Sequence, residues 1–269
     1  MPKYLCRTCG VQIEEAREPP DSCQICTDDR QYVGRDGQQW TTLEKLRQSG
    51  FKNRIEAVDD ELYKIITNPS FGIGQRAFLV RTRSGNLLWD CISYLDDETV
   101  TSIKKLGGID AIAISHPHYY SSMIEWSEAF GGAPVYVHNV DRKWVQRKSP
   151  KITFWKGEKT SPLGGLEIVN LGGHFNGSSV LYFREGAHGT GVLLSGDTIA
   201  VVTDRRWTTF MYSYPNEIPL PARKVRKIAS RIKPYKFANL YGAFEGGEIV
   251  GNADRRVQLS AERYVNHLR

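Results

Sequence analysis

The chain is short of several things, and each shortage narrows what it can be. No run approaches eighteen apolar residues, so no membrane span is expected. The opening "MPKYLCRTCG" has no apolar core of the signal-peptide kind, so secretion is not expected and a cytoplasmic location is the default. No internal repeat of useful length and no low-complexity tract appear. Lys and Arg exceed Asp and Glu by 36 to 30, but no dense basic block stands out along the sequence. The +6 charge therefore reads as a mildly basic surface, and no nucleic-acid partner is expected. Cysteine is nearly absent after residue 26. Of the five, only Cys91 lies beyond that point, in "LLWDCIS", and it reads as a small buried core residue.

What is present begins with the other four cysteines. They form two C-x-x-C pairs, "CRTC" (Cys6, Cys9) and "CQIC" (Cys23, Cys26), separated by thirteen residues. In a reducing compartment this spacing points to metal ligation, because two tight turns can each present two thiolates to one tetrahedral ion. Residues 1–34 are too few to bury much apolar surface, so a metal is expected to hold them together. Zinc fits, and four thiolates also suit iron. The unit resembles a zinc ribbon or rubredoxin-type knuckle. Residues 35–59 read as a linker region with a short helix capped by Thr41 or Thr42 and closed near Gly50.

From about residue 60 to the end at 269 the texture changes to one large domain. "LYKIITN", "AFLVRT" and "NLLWDCI" read as strands separated by turns. Helical and strand patterns then alternate: "DDETVTSIKKLGG", "IDAIAIS", "SMIEWSEAF" and "APVYVH". Further strands follow at "LEIVNLGG", "SSVLYFRE" and "GVLLSGDTIA". A helix at "LPARKVRKIASRI", a strand at "FANLYGA" and a C-terminal helix complete the chain. This order predicts a layered α/β domain.

The residues able to do chemistry sit at strand ends. "SHPH" gives His116 and His118, "GGHFNGSS" gives His174, and "SGDTI" gives Asp197. Loops beyond strand ends carry ligand sites in layered α/β folds. An H-x-H pattern on extended backbone would point both imidazoles the same way. Three histidines and one carboxylate can therefore converge on one metal.

This series resembles the metallo-β-lactamase superfamily over about residues 60 to 265. That family draws its ligands from an H-x-H-x-D-H motif, a histidine near a glycine-rich turn, a strand-end aspartate often in a "GD" pair, and a late histidine. The resemblance implies a four-layer αββα sandwich. It assigns His116, His118 and His174 to the first metal site and Asp197 to the bridging aspartate, and Asp90 matches the family's early strand-end aspartate. Where the family has further ligands this chain has Tyr120, Ser121 and Ala243 (or Phe244), so at most one metal, zinc or iron, is expected in the large domain. The implied activity is a mononuclear metal-dependent hydrolase of a small ester, thioester or lactone. Asp197 would complete the metal shell or orient its water, and Tyr120 would donate a proton or hydrogen bond. A single-iron oxygenase like the superfamily's persulfide dioxygenases is the second reading, and a non-catalytic binding protein the third. The aromatic, basic stretch "TDRRWTTFMYSYP" suggests Arg206, Trp207, Tyr212 and Tyr214 as lining for a small-molecule substrate, with Arg205 beside them. Trp155 is expected on another loop over the site, and His138 and His188 lie off the series as structural or exposed residues. The sequence leaves the oligomeric state open.

Overall fold

A computed structural model describes residues 1–268. Two mixed sheets form the centre of the large domain. The first runs in the order Ile152–Trp155, Val135–His138, Ala111–Ala113, Gly85–Trp89, Ala77–Thr82, Leu62–Asn68 and Lys52–Ala57. Its first four strands pair in parallel and the remainder form an antiparallel meander. The second sheet runs Lys159–Thr160, Leu166–Asn170, Ser179–Phe183, Val192–Gly196, Asn239–Gly242 and Glu248–Val250.

Period-two alternation sorts the side chains into layers. Phe78 and Val80, Leu87 and Trp89, and Ala111 and Ala113 face inward, where they meet Ile168, Leu181, Phe183, Val192 and Leu194 of the other sheet. Leu79, Leu88 and Ile112 face outward, against the helices Asp97–Lys105 and Met123–Ala129 through Ile103, Ile124 and Trp126. On the far side, Ala222–Ile232 and Ala253–His267 cover the second sheet with Val225, Ile228, Val257 and Ala261. The layers are therefore helix, sheet, sheet, helix.

The N-terminal unit is a three-stranded sheet in which Lys3–Cys6 lies between Gln12–Glu15 and Trp40–Thr42. Trp40–Thr42 pairs with Tyr4–Cys6 in this small sheet, and Lys52–Ala57 is the outermost strand of the large domain's first sheet. Between them Thr42 caps the short helix Leu43–Arg47, its hydroxyl accepting from the Lys45 N–H at 3.2 Å. Leu5, Val11 and Ile25 join the same apolar cluster as Leu79, Leu88 and Ile112, so the unit packs on the first sheet's outer layer rather than standing apart. A buried polar contact reinforces it. Arg147 donates to Gln12 Oε1 and, at 2.9 Å, to Glu125, which also takes Lys3 Nζ at 3.2 Å.

Candidate metal centre

The four cysteines come together as a buried cluster, with Cys6 and Cys26 sulfurs 3.5 Å apart and Cys9 and Cys23 3.6 Å apart. A tetrahedron with metal–sulfur bonds of about 2.3 Å has edges of roughly 3.7 Å, so this spacing suits one ion. Burial pushes the Cys9 thiol well above its ordinary range, so an ion is needed to hold all four as thiolates. Cys91 is fully buried elsewhere in the core.

The second cluster is His116, His118, His174 and Asp197, whose donor atoms lie within 4.8 Å of one another. The four candidate ligands leave three strand ends. His116 and His118 follow Ala111–Ala113, and Asp197 follows Val192–Gly196. His174 sits in the turn between Leu166–Asn170 and Ser179–Phe183. The H-x-H segment is not an extended strand as expected. His116 is extended, but Pro117 opens a single 3-10 turn, Pro117–Tyr119, that carries His118. The rings still meet, with centroids 5.1 Å apart. Gly196 makes the "GD" pair possible. Its φ of +51° favours glycine, and a Cβ there would sit 2.7 Å from Ser115 Oγ, beside His116.

The polar environment fixes the ligands. His174 Nδ1 lies 3.3 Å from the Met211 carbonyl, which can only accept, so Nδ1 carries the proton and Nε2 keeps its lone pair. That Nε2 is 3.2 Å from His118 Nδ1. Asp197 Oδ2 lies 3.2 Å from His116 Nε2 and 3.9 Å from His118 Nδ1. The His116 contact lacks hydrogen-bond geometry, which leaves His116 Nε2 a buried atom with no hydrogen-bond partner. A cation fits this arrangement, since it would satisfy that orphan and separate the crowded lone pairs. Burial, with the adjoining His116 and Arg30, pushes the His118 ring down to about 4, and burial also pushes His174 down. Both rings are thus neutral near pH 7, the form that ligates. Burial alone would raise the Asp197 carboxyl, but the neighbouring His116 and His118 rings overcome it and hold it below the usual range.

Asp90 and Ser115 hold the His116 loop. The buried Asp90, at a φ of 65°, accepts the Ser115 N–H at 2.7 Å. Ser115 Oγ lies 2.8 Å from His116 Nδ1, and the Ser115 carbonyl accepts from Ser179 N–H at 2.9 Å, tying the two sheets together. Nothing in the sequence flags Ser115, because its part depends on that tertiary bond.

Several expected site residues lie elsewhere. Tyr120 is buried with its hydroxyl donating to the Asp141 carbonyl at 3.1 Å, so its proton is committed to backbone. Tyr119 is instead the ring against His116, with centroids 5.4 Å apart, and its hydroxyl donates to the Ala243 carbonyl at 3.2 Å. Tyr119 thereby joins the His116 loop to the Ala243 loop. Arg206 is an exposed partner of Asp204 at 2.7 Å, and Trp207 lies under the Arg263 guanidinium at 4.5 Å, so neither is at the centre. Arg205 is exposed and reaches toward Glu248. Tyr214 is at the centre: its hydroxyl donates to the Asp197 carbonyl at 2.8 Å and its ring lies 5.8 Å from His174. Tyr212 stands nearby, over Arg30. Trp155 is not on a loop. It ends the edge strand Ile152–Trp155 and packs on His138, whose Nε2 lies 3.2 Å from the Gly157 carbonyl. His188 is exposed.

Two residues at the centre carry no sequence signal. Phe175 touches all three ligand rings, with centroids 5.8, 5.0 and 5.1 Å from His116, His118 and His174. Arg30, from the four-cysteine unit, stacks on Phe175 at 4.0 Å. Together they help leave the ligands at most 6% exposed.

No family model matches the chain. Among solved structures, VMB-1 superposes with a TM-score of 0.61 at 13% identity, covering 79% of this chain and 97% of that one. The DIM-1 metallo-β-lactamase gives 0.59 at 18%, covering 79% and 98%. A metallo-β-lactamase from Pontibacter korlensis gives 0.57 at 14%, covering 78% and 99%. These likenesses establish the metallo-β-lactamase fold. The Bacillus subtilis (strain 168) protein YmaE, described as uncharacterized, is 52% identical over 269 residues, 100% of this chain and 97% of its own. With half its residues shared over its full length, the chain belongs to the family of YmaE, and its large domain has the metallo-β-lactamase fold.

Proposed function

We propose that the protein is a hydrolase of a small ester, thioester or lactone, dependent on one metal in its large domain. The observation that carries this reading is the convergence of three imidazoles and one ionised carboxylate at buried strand ends, beside positions 120, 121 and 243 that offer no second ligand set. Zinc held by His116, His118 and His174, with Asp197 completing the shell or orienting the water, would bring the pKa of a water in its open position toward neutrality. The chain's own part is orientation. Met211 fixes the His174 tautomer, and Ser115 and Asp90 fix His116. Asp197, ionised and anchored through its carbonyl by Tyr214, would accept a hydrogen bond from that water and orient it. Tyr120 is assigned to the packing of its loop. We further read the four-cysteine ion as zinc, and place the protein in the cytoplasm, where free thiols persist.

The test is metal analysis of protein purified without oxygen, with an ester, thioester and lactone panel. One zinc beyond the four-cysteine ion, together with hydrolysis, is the expected result. His116→Ala should lose the large-domain metal and the activity while keeping the four-cysteine metal. Two metals in the large domain would overturn the mononuclear reading. One iron with oxygen uptake on a persulfide would replace the hydrolase with an oxygenase.

A further inference from the structure

The four-cysteine unit reaches the second centre. Its segment after Cys26 carries Asp28 and Arg30, which form a bidentate pair, Arg30 Nε to Oδ1 at 2.6 Å and Nη2 to Oδ2 at 3.0 Å. The Arg30 side chain is only 14% exposed. Its guanidinium lies over Phe175 at 4.0 Å, with Tyr212 at 5.0 Å and Trp144 at 5.3 Å, and Nη1 points at the His174 carbonyl from 3.4 Å. Phe175 is the ring that touches all three ligand imidazoles. From the other side, Asn216 Nδ2 donates to the Asp29 and Gln31 carbonyls at 2.9 and 3.1 Å. Asn216 lies in the turn of the hairpin Met211–Ser213 and Ile218–Pro219, whose Met211 carbonyl takes the His174 Nδ1 proton. Segment, hairpin and His174 thus form one closed ring of contacts.

We propose that Arg30 is a positioning residue of the three-histidine centre, delivered by the four-cysteine unit, and that metal retention at that centre depends on it. A docking contact alone needs no charge. A guanidinium beside a cation site is repelled by the cation, and Asp28 cancels that repulsion. What remains is the planar fork, which covers Phe175 and supports the His174 backbone. Outer contacts of this kind typically change metal affinity about 10–100-fold when removed.

The inference rests on the metal-binding half of the proposed function and not on hydrolysis. The test loads the full-length protein with cobalt(II), because thiolate charge-transfer absorption reports the four-cysteine site separately from the histidine centre. Asp28→Asn/Arg30→Met removes both charges and keeps an apolar stem. It should release cobalt from the histidine centre to EDTA about tenfold faster or more and bind it about 10–100-fold more weakly, with the thiolate bands unchanged. Asp28→Asn alone, which leaves an unmatched guanidinium beside the cation, should weaken binding further than the double change. Arg30→Lys keeps charge and stem, and should give an intermediate loss even if the double variant folds poorly. Wild-type rates and affinities in Arg30→Lys and the double variant would overturn the inference. An empty histidine centre in the wild type would overturn the proposed function itself.

Discussion

Individual residues decide how tightly the centre is specified. Gly196 is costly to replace: alanine would combine a left-handed backbone with a Cβ 2.7 Å from Ser115 Oγ. Gly196→Ala should therefore lose the large-domain metal while keeping the four-cysteine metal, as metal analysis of the purified variant would show. Asp141 has a different sensitivity. Burial pushes its carboxyl up to about 6, against a backbone hydrogen bond from Gly177 N–H that works the other way. Its folded pKa is thus above its unfolded value, and the folded state binds the extra proton between about pH 4 and 6. Stability falls as pH rises through that window and stays lower above it, by about 3 kcal/mol. Asp141→Asn should flatten this slope, raising the melting temperature at pH 8 but not at pH 4. An unchanged slope would show that Asp141 is better solvated than its surroundings indicate.

At the scale of elements, the strands were legible because alternation and β-branched runs are local signals. Leu62–Asn68, Ala77–Thr82, Leu166–Asn170, Ser179–Phe183 and Val192–Gly196 lie where the pattern puts them. Lys52–Ala57 was missed because "KNRIEA" alternates weakly and carries three charges, which an edge strand tolerates. Trp40–Thr42 was missed because three residues have no period, and only pairing with Tyr4, Leu5 and Cys6 makes them a strand. The basic residues look scattered along the sequence, but Ala222–Ile232 gathers Arg223, Lys224, Arg226, Lys227 and Arg231 without an acidic residue, while its apolar face is already buried. The element that docks the N-terminal unit is testable. Gly10 has a φ of +79° and sits against Ser93, whose hydroxyl donates to the Gly10 carbonyl at 2.8 Å. Gly10→Ala should loosen the unit, detectable as faster limited proteolysis between residues 42 and 52 with the large domain still folded.

Across the whole molecule, the N-terminal unit supports the second candidate metal site. The N-terminal unit shares an apolar cluster with the first sheet and hands Arg30 to the second site, whereas no histidine ligand contributes to the cysteine cluster. Cys23→Ser should therefore unfold residues 1–42, since so small a unit depends on its ion. It should also weaken metal binding at the histidine centre and lower the melting temperature of the remainder. His116→Ala should leave the thiolate bands untouched. Equal metal content at the histidine centre in Cys23→Ser and wild type would refute that support.

The sequence by itself determined what depends on spacing and periodicity. These are the two C-x-x-C pairs, the candidate ligands His116, His118, His174 and Asp197, and the layered order of strands and helices, because residue identity and alternation are properties of the local chain. Tertiary structure decided what depends on distance through space. It turned Tyr120 to the Asp141 carbonyl and put Tyr119 against His116. It left Arg206 and Trp207 outside the centre and brought in Arg30 from 144 residues before His174. A side chain's direction is set by the turn it sits on and by the neighbours that fill the space around it. Neither is written at its own position.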